Sequence, residues 1–245
     1  MTSPFVLFNR VVVVLEQKIY VYNFQHLDLA ESFVTIKNPL GLVSLSVVEN
    51  ACVLACPDEK IGHVKIVRFE DGVSSKLTPI KCHDSQLAAL KLSQDGDFLV
   101  TASDKGTLIR VFSTSTGDKL NEVRRGADQA VITDLTIDPT NKFISCSSDK
   151  GTIHVFSLDK SDKHDEKNKK SALSALSGAV GYFGSNWSYA QFRVKDSSCK
   201  CAIIDGKIFA ISAMGNYFMG DIAQGEIKIK KQTDLLEESN LKEDN

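Results

Sequence analysis

The sequence predicts an all-β fold built from repeated four-stranded units. Two segments are close copies of each other: residues 98–112 read FLVTASDKGTLIRVF, and residues 143–156 read FISCSSDKGTIHVF. Their shared Ser-Asp-Lys-Gly-Thr core recurs after 45 residues. Short runs of β-branched and aromatic residues alternate with turn residues along most of the chain, which favours strands over helices. A repeat of about 40–45 residues is typical of the blades of a WD-repeat-like β-propeller.

The first two blades are predicted in residues 1–37 and 38–80. In the first, the segment Val11–Phe24 gives two apolar strands around a polar turn. In the second, the segment Val53–Phe69 is a fainter copy of the repeat, with Gly62 lying 44 residues before Gly106.

The third blade is predicted in residues 83–124, where the pattern is clearest. Asp95-Gly96 and Asp104-Lys105-Gly106 supply its hairpin turns, because glycine adopts positive φ without strain. The expected strands are Leu87–Leu92, Phe98–Ala102, Thr107–Phe112 and Leu120–Arg124.

The fourth and fifth blades are predicted in residues 127–185 and 186–236, followed by a polar tail at 237–245. The fourth contains an insertion at 159–184, whose charged first part is expected to be solvated. The strands expected in the fifth are Ser188–Val194, Cys199–Ile204, Lys207–Ala213 and Tyr217–Ile222. A short C-terminal helix or a frayed tail is expected at Thr233–Leu241.

Composition excludes several classes of function. The net charge of −2 disfavours a nucleic-acid binder, which usually needs a basic excess. No apolar run approaches the roughly 18–20 residues of a transmembrane helix, and no signal peptide is expected at the N-terminus. The six cysteines contain no CxxC pair, so we expect free thiols and no metal site. Without a P-loop, nucleophile elbow or metal motif, neither enzyme activity nor a cofactor is expected.

An arginine pair, Arg124-Arg125, lies between the two copies of the polar motif. Adjacent residues of an extended segment point to opposite sides, so each arginine should face a different blade. Each would meet a serine and a threonine at spacing four, either Ser103 and Thr107 or Ser148 and Thr152. A guanidinium with hydroxyls suits a phosphate monoester. The alternative is a pair of solvated or salt-bridged arginines beside hydroxyls that only stabilise the turns.

The segment Val123-Arg124-Arg125-Gly126 resembles the Phe/Leu-Arg-Arg-Gly motif of the PROPPIN (WIPI) family of autophagy proteins. The flanking motifs and Asn186–Phe192 (NWSYAQF) are similar to that family as well. The resemblance covers essentially the whole chain and implies blades three to seven of a seven-bladed propeller. About two blades, on the order of 90 residues, are therefore expected to be missing before Met1, whether through a truncated gene model, a splice form or a genuinely short protein.

The resemblance also implies two phosphoinositide sites, on a rim where we expect both arginines to be exposed. The first would use His83, Ser103, Thr107, Arg110 and Arg124. The second would use Arg125, Ser148, Thr152 and His154. Val123 is expected to pack inward.

The same resemblance implies that the inserted loop enters the membrane. The side chains expected to insert are Leu173, Leu176, Val180, Tyr182 and Phe183. The function expected is binding of phosphatidylinositol 3-phosphate and 3,5-bisphosphate, with recruitment of autophagy proteins, either a lipid-transfer protein or a conjugation scaffold. The location expected is cytoplasmic, on preautophagosomal, endosomal or vacuolar membranes. The alternative is a WD-repeat scaffold that binds only proteins.

Overall fold

Strands dominate the computed structural model, which describes residues 3–7, 10–48, 51–70, 73–76, 78–158, 188–194, 196, 198–223 and 225–236. This part of the chain contains twenty-one strands, and only Leu235 and Leu236 are helical. No helix among the described residues has the length and apolar character needed to cross a bilayer. The all-β class expected from the repeat is confirmed.

Five antiparallel sheets contain these strands, four in each sheet with one extra short strand in the second. The first sheet contains β1 Ser3–Leu7, β2 Arg10–Val14, β3 Lys18–Asn23 and β4 Leu29–Val34. The second contains β5 Ser44–Val48, β6 Ala51–Pro57, β7 His63–Glu70 and β8 Val73–Lys76, and β9 Ile80–Lys81 pairs with β7. The third contains β10 Leu87–Leu92, β11 Phe98–Ser103, β12 Leu108–Ser113 and β13 Lys119–Arg124.

The last two sheets follow the same pattern. The fourth contains β14 Ile132–Ile137, β15 Phe143–Ser148, β16 Thr152–Ser157 and β17 Ala190–Arg193. The fifth contains β18 Cys199–Ile204, β19 Lys207–Ser212, β20 Asn216–Ala223 and β21 Glu226–Asp234. Each sheet lists its strands in chain order, as successive hairpins of a blade do. The prediction of about five four-stranded blades is confirmed.

One predicted strand belongs to a different sheet. The sequence assigns Ser188–Val194 to the fifth blade, but Ala190–Arg193 pairs with β16, with Val155 opposite Ala190. The strand that follows the insertion in the sequence therefore pairs with the edge of β16 and completes the fourth sheet. The fifth sheet then takes its fourth strand from Glu226–Asp234, which includes Thr233, a residue expected in a helix or tail.

The chain divides into two compact units. The first comprises Met1–Asp104 and Arg110–Leu120, and the second comprises Lys105–Ile109 and Asn121–Asn245. The first unit has two apolar clusters, one around Val53, Ile66 and Leu99 and one around Val12, Ile19 and Leu54. In the second, a cluster around Ile153, Ile203 and Ile208 joins the fourth and fifth sheets.

Alternation along the strands produces these clusters. In β2 and β3 the residues Val12, Val14, Ile19 and Val21 are buried, while the residues between them are only half-buried. Side chains of successive residues lie on opposite faces of a sheet, so each of these strands buries one face fully. Within each unit the blades therefore pack through their faces.

Candidate functional site

The two copies of the polar motif have the same local backbone structure. In the sheet that contains each copy, the first strand has a β-bulge. It lies between Leu87 and Ala89 in the third sheet and between Ile132 and Asp134 in the fourth. The bulges lie opposite Ser103 and Ser148, respectively. A bulge bends the strand and re-aims the neighbouring side chains. The 45-residue repeat thus reproduces the local geometry of both predicted site serines.

The turns after the two serines are also equivalent. The N–H of Asp104 donates to the Gln86 carbonyl at 2.8 Å, and the N–H of Asp149 donates to the Val131 carbonyl at 3.0 Å. Gly106 and Gly151 have φ of +61° and +67°, a left-handed conformation that favours glycine. A Cβ on Gly106 would overlap the Ala130 carbonyl oxygen. The turn is therefore fixed by backbone packing as well as by its hydrogen bonds.

Arg125 is held against this turn. Its N–H donates to the Thr107 carbonyl at 2.9 Å, and its Nε donates to the Gly106 carbonyl at 2.5 Å. Its Nη2 donates to the Asp128 carbonyl. Nη1 makes no hydrogen bond to a described residue. Three backbone carbonyls therefore fix the position of the residue, and among the described residues one guanidinium nitrogen is left without a hydrogen bond.

Arg124 and Arg125 are both buried, with 5% and 6% of their surfaces exposed. The expectation of two exposed rim arginines is therefore wrong. The physical reason is visible for Arg125: its planar group is the donor for backbone carbonyls of a turn and a loop that would otherwise lack partners. Val123, 0% exposed, packs inward as expected.

His154 lies on the same sheet face as Thr152, two residues before it on β16. His154 is paired across the sheet with Cys146, and Ser148 follows Cys146 by two residues on β15, so all four residues share this face. The ring of His154 stacks on Phe156 at 6.1 Å between centroids. Ser148 is buried, whereas Thr152 is half-buried.

The charge of Arg125 affects the pKa of two groups on that face, His154 and Cys146. Burial and, to a smaller extent, the charge of Arg125 together lower the pKa of His154 to about 4. Burial raises the pKa of the Cys146 thiol to about 12, and Arg125 opposes this rise. His154 is therefore neutral at pH 7, and its buried Nδ1 makes no hydrogen bond to a described residue. A buried ring nitrogen without a partner calls for a ligand or water.

The residues predicted for the first site fall in both units. In the first unit, His83 is buried with Nε2 2.9 Å from the Thr101 hydroxyl, and Arg110 donates from Nη1 to the Cys82 carbonyl at 2.6 Å. Both line an open cavity of about 310 Å³. Ser103 is buried at the end of β11. In the second unit lie Arg124 and Thr107, the latter half-buried.

Two lysines that the sequence reasoning missed, Lys81 and Lys119, also line that cavity, together with Asp84. Lys81 pairs with Asp84 at 2.7 Å. Its position two residues before His83 is a signal that could have identified it, whereas Lys119 lies in a hairpin with no motif around it.

The expected membrane-inserting residues Leu173, Leu176, Val180, Tyr182 and Phe183 lie outside the described residues. All six cysteines are free, and all but Cys201 are buried. Within the described ranges, no three His, Cys, Asp or Glu side chains are grouped so that they could hold a metal ion.

Comparison with known proteins decides the family. A family model described as PROPPIN matches residues 5–212. The chain belongs to the PROPPIN family. It is 45% identical over 150 residues to autophagy-related protein 18e of Arabidopsis thaliana, covering 61% of this chain and 39% of the relative. It is 39% identical over 154 residues to WD repeat domain phosphoinositide-interacting protein 2 of Mus musculus, covering 62% and 34%.

The matches therefore span between about a third and two fifths of the length of these curated relatives. Among solved structures, Hsv2 of Kluyveromyces lactis matches 95% of this PROPPIN chain and 73% of its own, with a TM-score of 0.73 and 21% identity. That likeness concerns the fold, and it agrees with the five blades described above.

Proposed function

We propose that this PROPPIN chain is a phosphoinositide-binding effector that recognises phosphatidylinositol 3-phosphate and 3,5-bisphosphate and recruits autophagy proteins to membranes. The observation that carries the proposal is the group around Arg125. A guanidinium fixed by backbone carbonyls lies in the same unit as a neutral histidine and the two hydroxyls of the second motif copy, and the buried Nδ1 of the histidine makes no hydrogen bond to a described residue. The phosphoinositide-interacting relative supports the choice of ligand.

The chemistry of a phosphate monoester matches these donors. The available Nη1 of Arg125, an Nδ1–H of His154 and the hydroxyls of Ser148 and Thr152 would each donate to a phosphate oxygen. Charge-assisted hydrogen bonds of this kind contribute roughly 1.5–3 kcal/mol each. Neutral His154 adds a donor without adding a second buried charge beside Arg125.

A second headgroup site is proposed from His83, Ser103 and Arg110 of the first unit, and Arg124 and Thr107 of the second unit are proposed as further headgroup contacts. Two weak sites for headgroups on one membrane gain affinity through effective concentration. The inserted loop, through Leu173, Leu176, Val180, Tyr182 and Phe183, is proposed to add apolar anchoring. Cytoplasmic location at preautophagosomal, endosomal or vacuolar membranes, and a lipid-transfer or conjugation-scaffold partner, complete the proposal.

The test is co-sedimentation with vesicles that contain phosphatidylinositol 3-phosphate, comparing wild type with the Arg124→Gln/Arg125→Gln variant. Glutamine keeps a donor for the backbone carbonyls while removing the charge, so it perturbs the fold less than alanine does. We expect at least a hundredfold weaker binding, because each lost charge-assisted contact weakens it about tenfold or more. Circular dichroism checks that the variant is folded.

The matched control is Lys228→Gln/Lys231→Gln, which removes the same charge from two exposed positions on β21. It should bind vesicles as wild type does. Undiminished binding by the folded arginine variant would contradict the proposal and favour a scaffold that binds only proteins. Equal losses in the arginine variant and the lysine control would show that net charge, and not a headgroup site, drives the association.

A further inference from the structure

A groove of about 300 Å³ lies within the first unit, between β8 and the turn that follows β12. Its lining includes Arg68, Ser75, Thr114 and Ser115. Arg110 of the proposed headgroup site lies near the beginning of β12, about 13 Å along the strand from Thr114. The groove is therefore separate from the cavity that contains Arg110.

Arg68 and Ser75 border the groove from the same face of the second sheet. Arg68 on β7 is paired directly with Ser75 on β8. Side chains directly opposite each other in an antiparallel pair share a face, with Cβ atoms about 4.5–5.5 Å apart. The next pair, Val67 and Lys76, belongs to the other face, where the Lys76 ammonium reaches Glu31. A serine hydroxyl and an arginine are therefore neighbours beside the groove, while the adjacent lysine points away from them.

Thr114 holds the guanidinium of Arg68 in place. Nη2 of Arg68 donates to the Thr114 hydroxyl at 2.6 Å. Thr114 is 1% exposed, and its own hydroxyl donates to the Gly96 carbonyl. Because that proton is committed to Gly96, the hydroxyl oxygen presents a lone pair to Arg68. A buried neutral side chain thus fixes the orientation of the cation.

The charge of Arg68 is only weakly compensated. A carboxylate oxygen of Asp97 lies 4.0 Å from Nη2, and the Asp97 side chain is 67% exposed. Exposed ion pairs at this distance contribute little. Nε and Nη1 of Arg68 make no hydrogen bond to a described residue. Two guanidinium nitrogens therefore remain for an anion on the neighbouring strand.

Ser75 is the accessible hydroxyl of that strand. It is exposed and makes no side-chain hydrogen bond to a described residue. It lies on β8, a four-residue strand that ends the order of the second sheet and pairs only with β7 among the described strands. Short edge strands open locally at a low cost in free energy, which lets an enzyme reach such a hydroxyl.

Ser74 differs from Ser75 in both respects. It is only partly exposed, and its hydroxyl donates to a carboxylate oxygen of Glu31 at 3.0 Å on the opposite face of the sheet. A phosphate on Ser74 would lie beside that carboxylate, and like charges at short range repel each other. Of two adjacent serines, only Ser75 has a cation as its cross-strand neighbour.

We propose that Ser75 is a phosphorylation site and that Arg68 binds the phosphate in the groove. A protein kinase would transfer the γ-phosphoryl group of ATP to Oγ of Ser75. The Oγ–P bond forms, the bond from the γ-phosphorus to the ADP oxygen breaks, and the hydroxyl proton passes to a base of the kinase. Phosphoserine carries a charge of about −1.5 to −2 at pH 7, and guanidinium–phosphate hydrogen bonds are charge-assisted.

The modification would connect two sheets inside the first unit. The phosphate on β8 would be linked, through Arg68 and Thr114, to the turn that follows β12. The open edge of the second sheet would thereby be fixed to the third sheet. The inference is independent of the phosphoinositide proposal, because it uses other residues in another part of the unit.

The first experiment asks whether Ser75 is modified. The full chain is expressed in eukaryotic cells and digested with trypsin, which releases residues 69–76 because Arg68 and Lys76 precede the two cuts. Ser74 and Ser75 are the hydroxyl-bearing residues of this peptide, and fragment ions distinguish them. We expect phosphate on Ser75 and not on Ser74. A peptide without phosphate, or with phosphate on Ser74 alone, would overturn the inference.

The second experiment asks whether Arg68 binds the phosphate. Phosphoserine is installed at position 75 of the full chain by genetic code expansion, and the phosphate is titrated by ³¹P NMR. We expect its second pKa to lie below that in the urea-unfolded chain, because a neighbouring cation favours the dianion. Arg68→Gln should remove most of this difference. Lys76→Gln, which removes the same charge from the other face, is the matched control and should change it little.

Hydrogen exchange gives a readout of the bridge between the sheets. Phosphorylation should slow exchange of the β8 amides about threefold, and Arg68→Gln should abolish that slowing. If Arg68→Gln does not fold, Arg68→Lys serves in its place and should retain only part of both effects, because it lacks the planar fork. Equal phosphate pKa values in the folded and unfolded chains, or equal effects of Arg68→Gln and Lys76→Gln, would overturn the role of Arg68.

Discussion

Two glycines with the same backbone conformation but different surroundings allow the packing of the site turn to be measured. Gly106 has φ of +61° and Gly206 has φ of +70°. A Cβ at Gly206 would have no atom within 4 Å, whereas a Cβ at Gly106 would overlap the Ala130 carbonyl. Alanine at either position incurs the strain of the left-handed region, about 1–2 kcal/mol. Only in Gly106→Ala would the new Cβ also have to displace a backbone atom, the carbonyl oxygen of Ala130.

The displacement adds a further cost of about 1–3 kcal/mol, as overpacking does in other tightly packed sites. We therefore expect Gly106→Ala to lower the free energy of unfolding by about 2–5 kcal/mol and Gly206→Ala by about 1–2 kcal/mol. Urea unfolding followed by circular dichroism gives both values under one set of conditions. Gly106→Ala should also weaken headgroup binding, because the Gly106 carbonyl holds Arg125.

Two outcomes with these alanine variants would contradict the prediction. If the two alanine variants were equally stable within about 0.5 kcal/mol, the close approach of Ala130 to the turn would have no energetic weight. If Gly106→Ala were less stable but bound headgroup normally while folded, the turn would support the sheet without positioning the arginine.

Three further predictions follow from the burial of the site. Arg125→Ala should lower the free energy of unfolding by about 2–4 kcal/mol, because the buried Gly106 carbonyl loses its charged donor, and thermal denaturation against Arg125→Lys tests this. Wild type should lose stability as the pH falls from 6.5 to 4, because the imidazole of the unfolded chain binds a proton in this range whereas native His154, with a pKa of about 4, does not. His154→Phe should reduce this loss in the free energy of unfolding by on the order of 3 kcal/mol. Identical pH profiles of stability for the two proteins would contradict the prediction. Cys82 and Cys146, whose thiol pKa burial raises to about 12, should react with a disulfide reagent at pH 8 only on unfolding, and rapid labelling of the native protein would show the burial to be wrong.

The strands were predictable because local pattern and tertiary structure agree in them. Leu87–Leu92 and Cys199–Ile204 have the bounds that the sequence predicts, β11 and β13 differ by one residue at one end, and β12 is shifted by one residue at both ends. In each, the hydrophobic pattern is bounded by turn residues whose backbone requirements are local. The outer strand of the fourth sheet was not predictable in this way. Its partner, β16, is separated from it in the sequence by the insertion, and no local sequence pattern indicates which strand will pair with β16.

The local structure around the candidate site residues was predictable to the extent that these residues belong to the repeat. Ser148 and Thr152 follow from the copied motif, and the equivalent bulges place both serines in the same local geometry. The burial of Arg125 has no counterpart in the sequence pattern. Its acceptors are the main-chain carbonyls of Gly106 and Asp128, and any residue type at those positions would supply the same oxygen.

The repeat also explains the backbone structure at the turns of the proposed site. In all five blades the chain that leads out of one sheet donates a backbone N–H group to the turn between the second and third strands. Thr35 donates to the Gln17 carbonyl, Cys82 and His83 to that of Gly62, Arg125 to that of Thr107, Val194 to that of Gly151 and Leu235 to that of Gly215. This junction is structural in every copy, since an open carbonyl in a packed turn would be destabilising.

Where the residue at this junction has a long cationic side chain, the side chain is held by the same turn that holds its backbone. Arg125 is such a case, because both its N–H and its Nε contact the Gly106-Thr107 turn. The entropy of ordering a flexible arginine is then lost on folding and not on binding, which favours a tight complex with a small anion. Val194 occupies the corresponding junction after Gly151 and offers no such group, so the fourth blade contributes hydroxyls and a histidine to the proposed site instead of a further arginine.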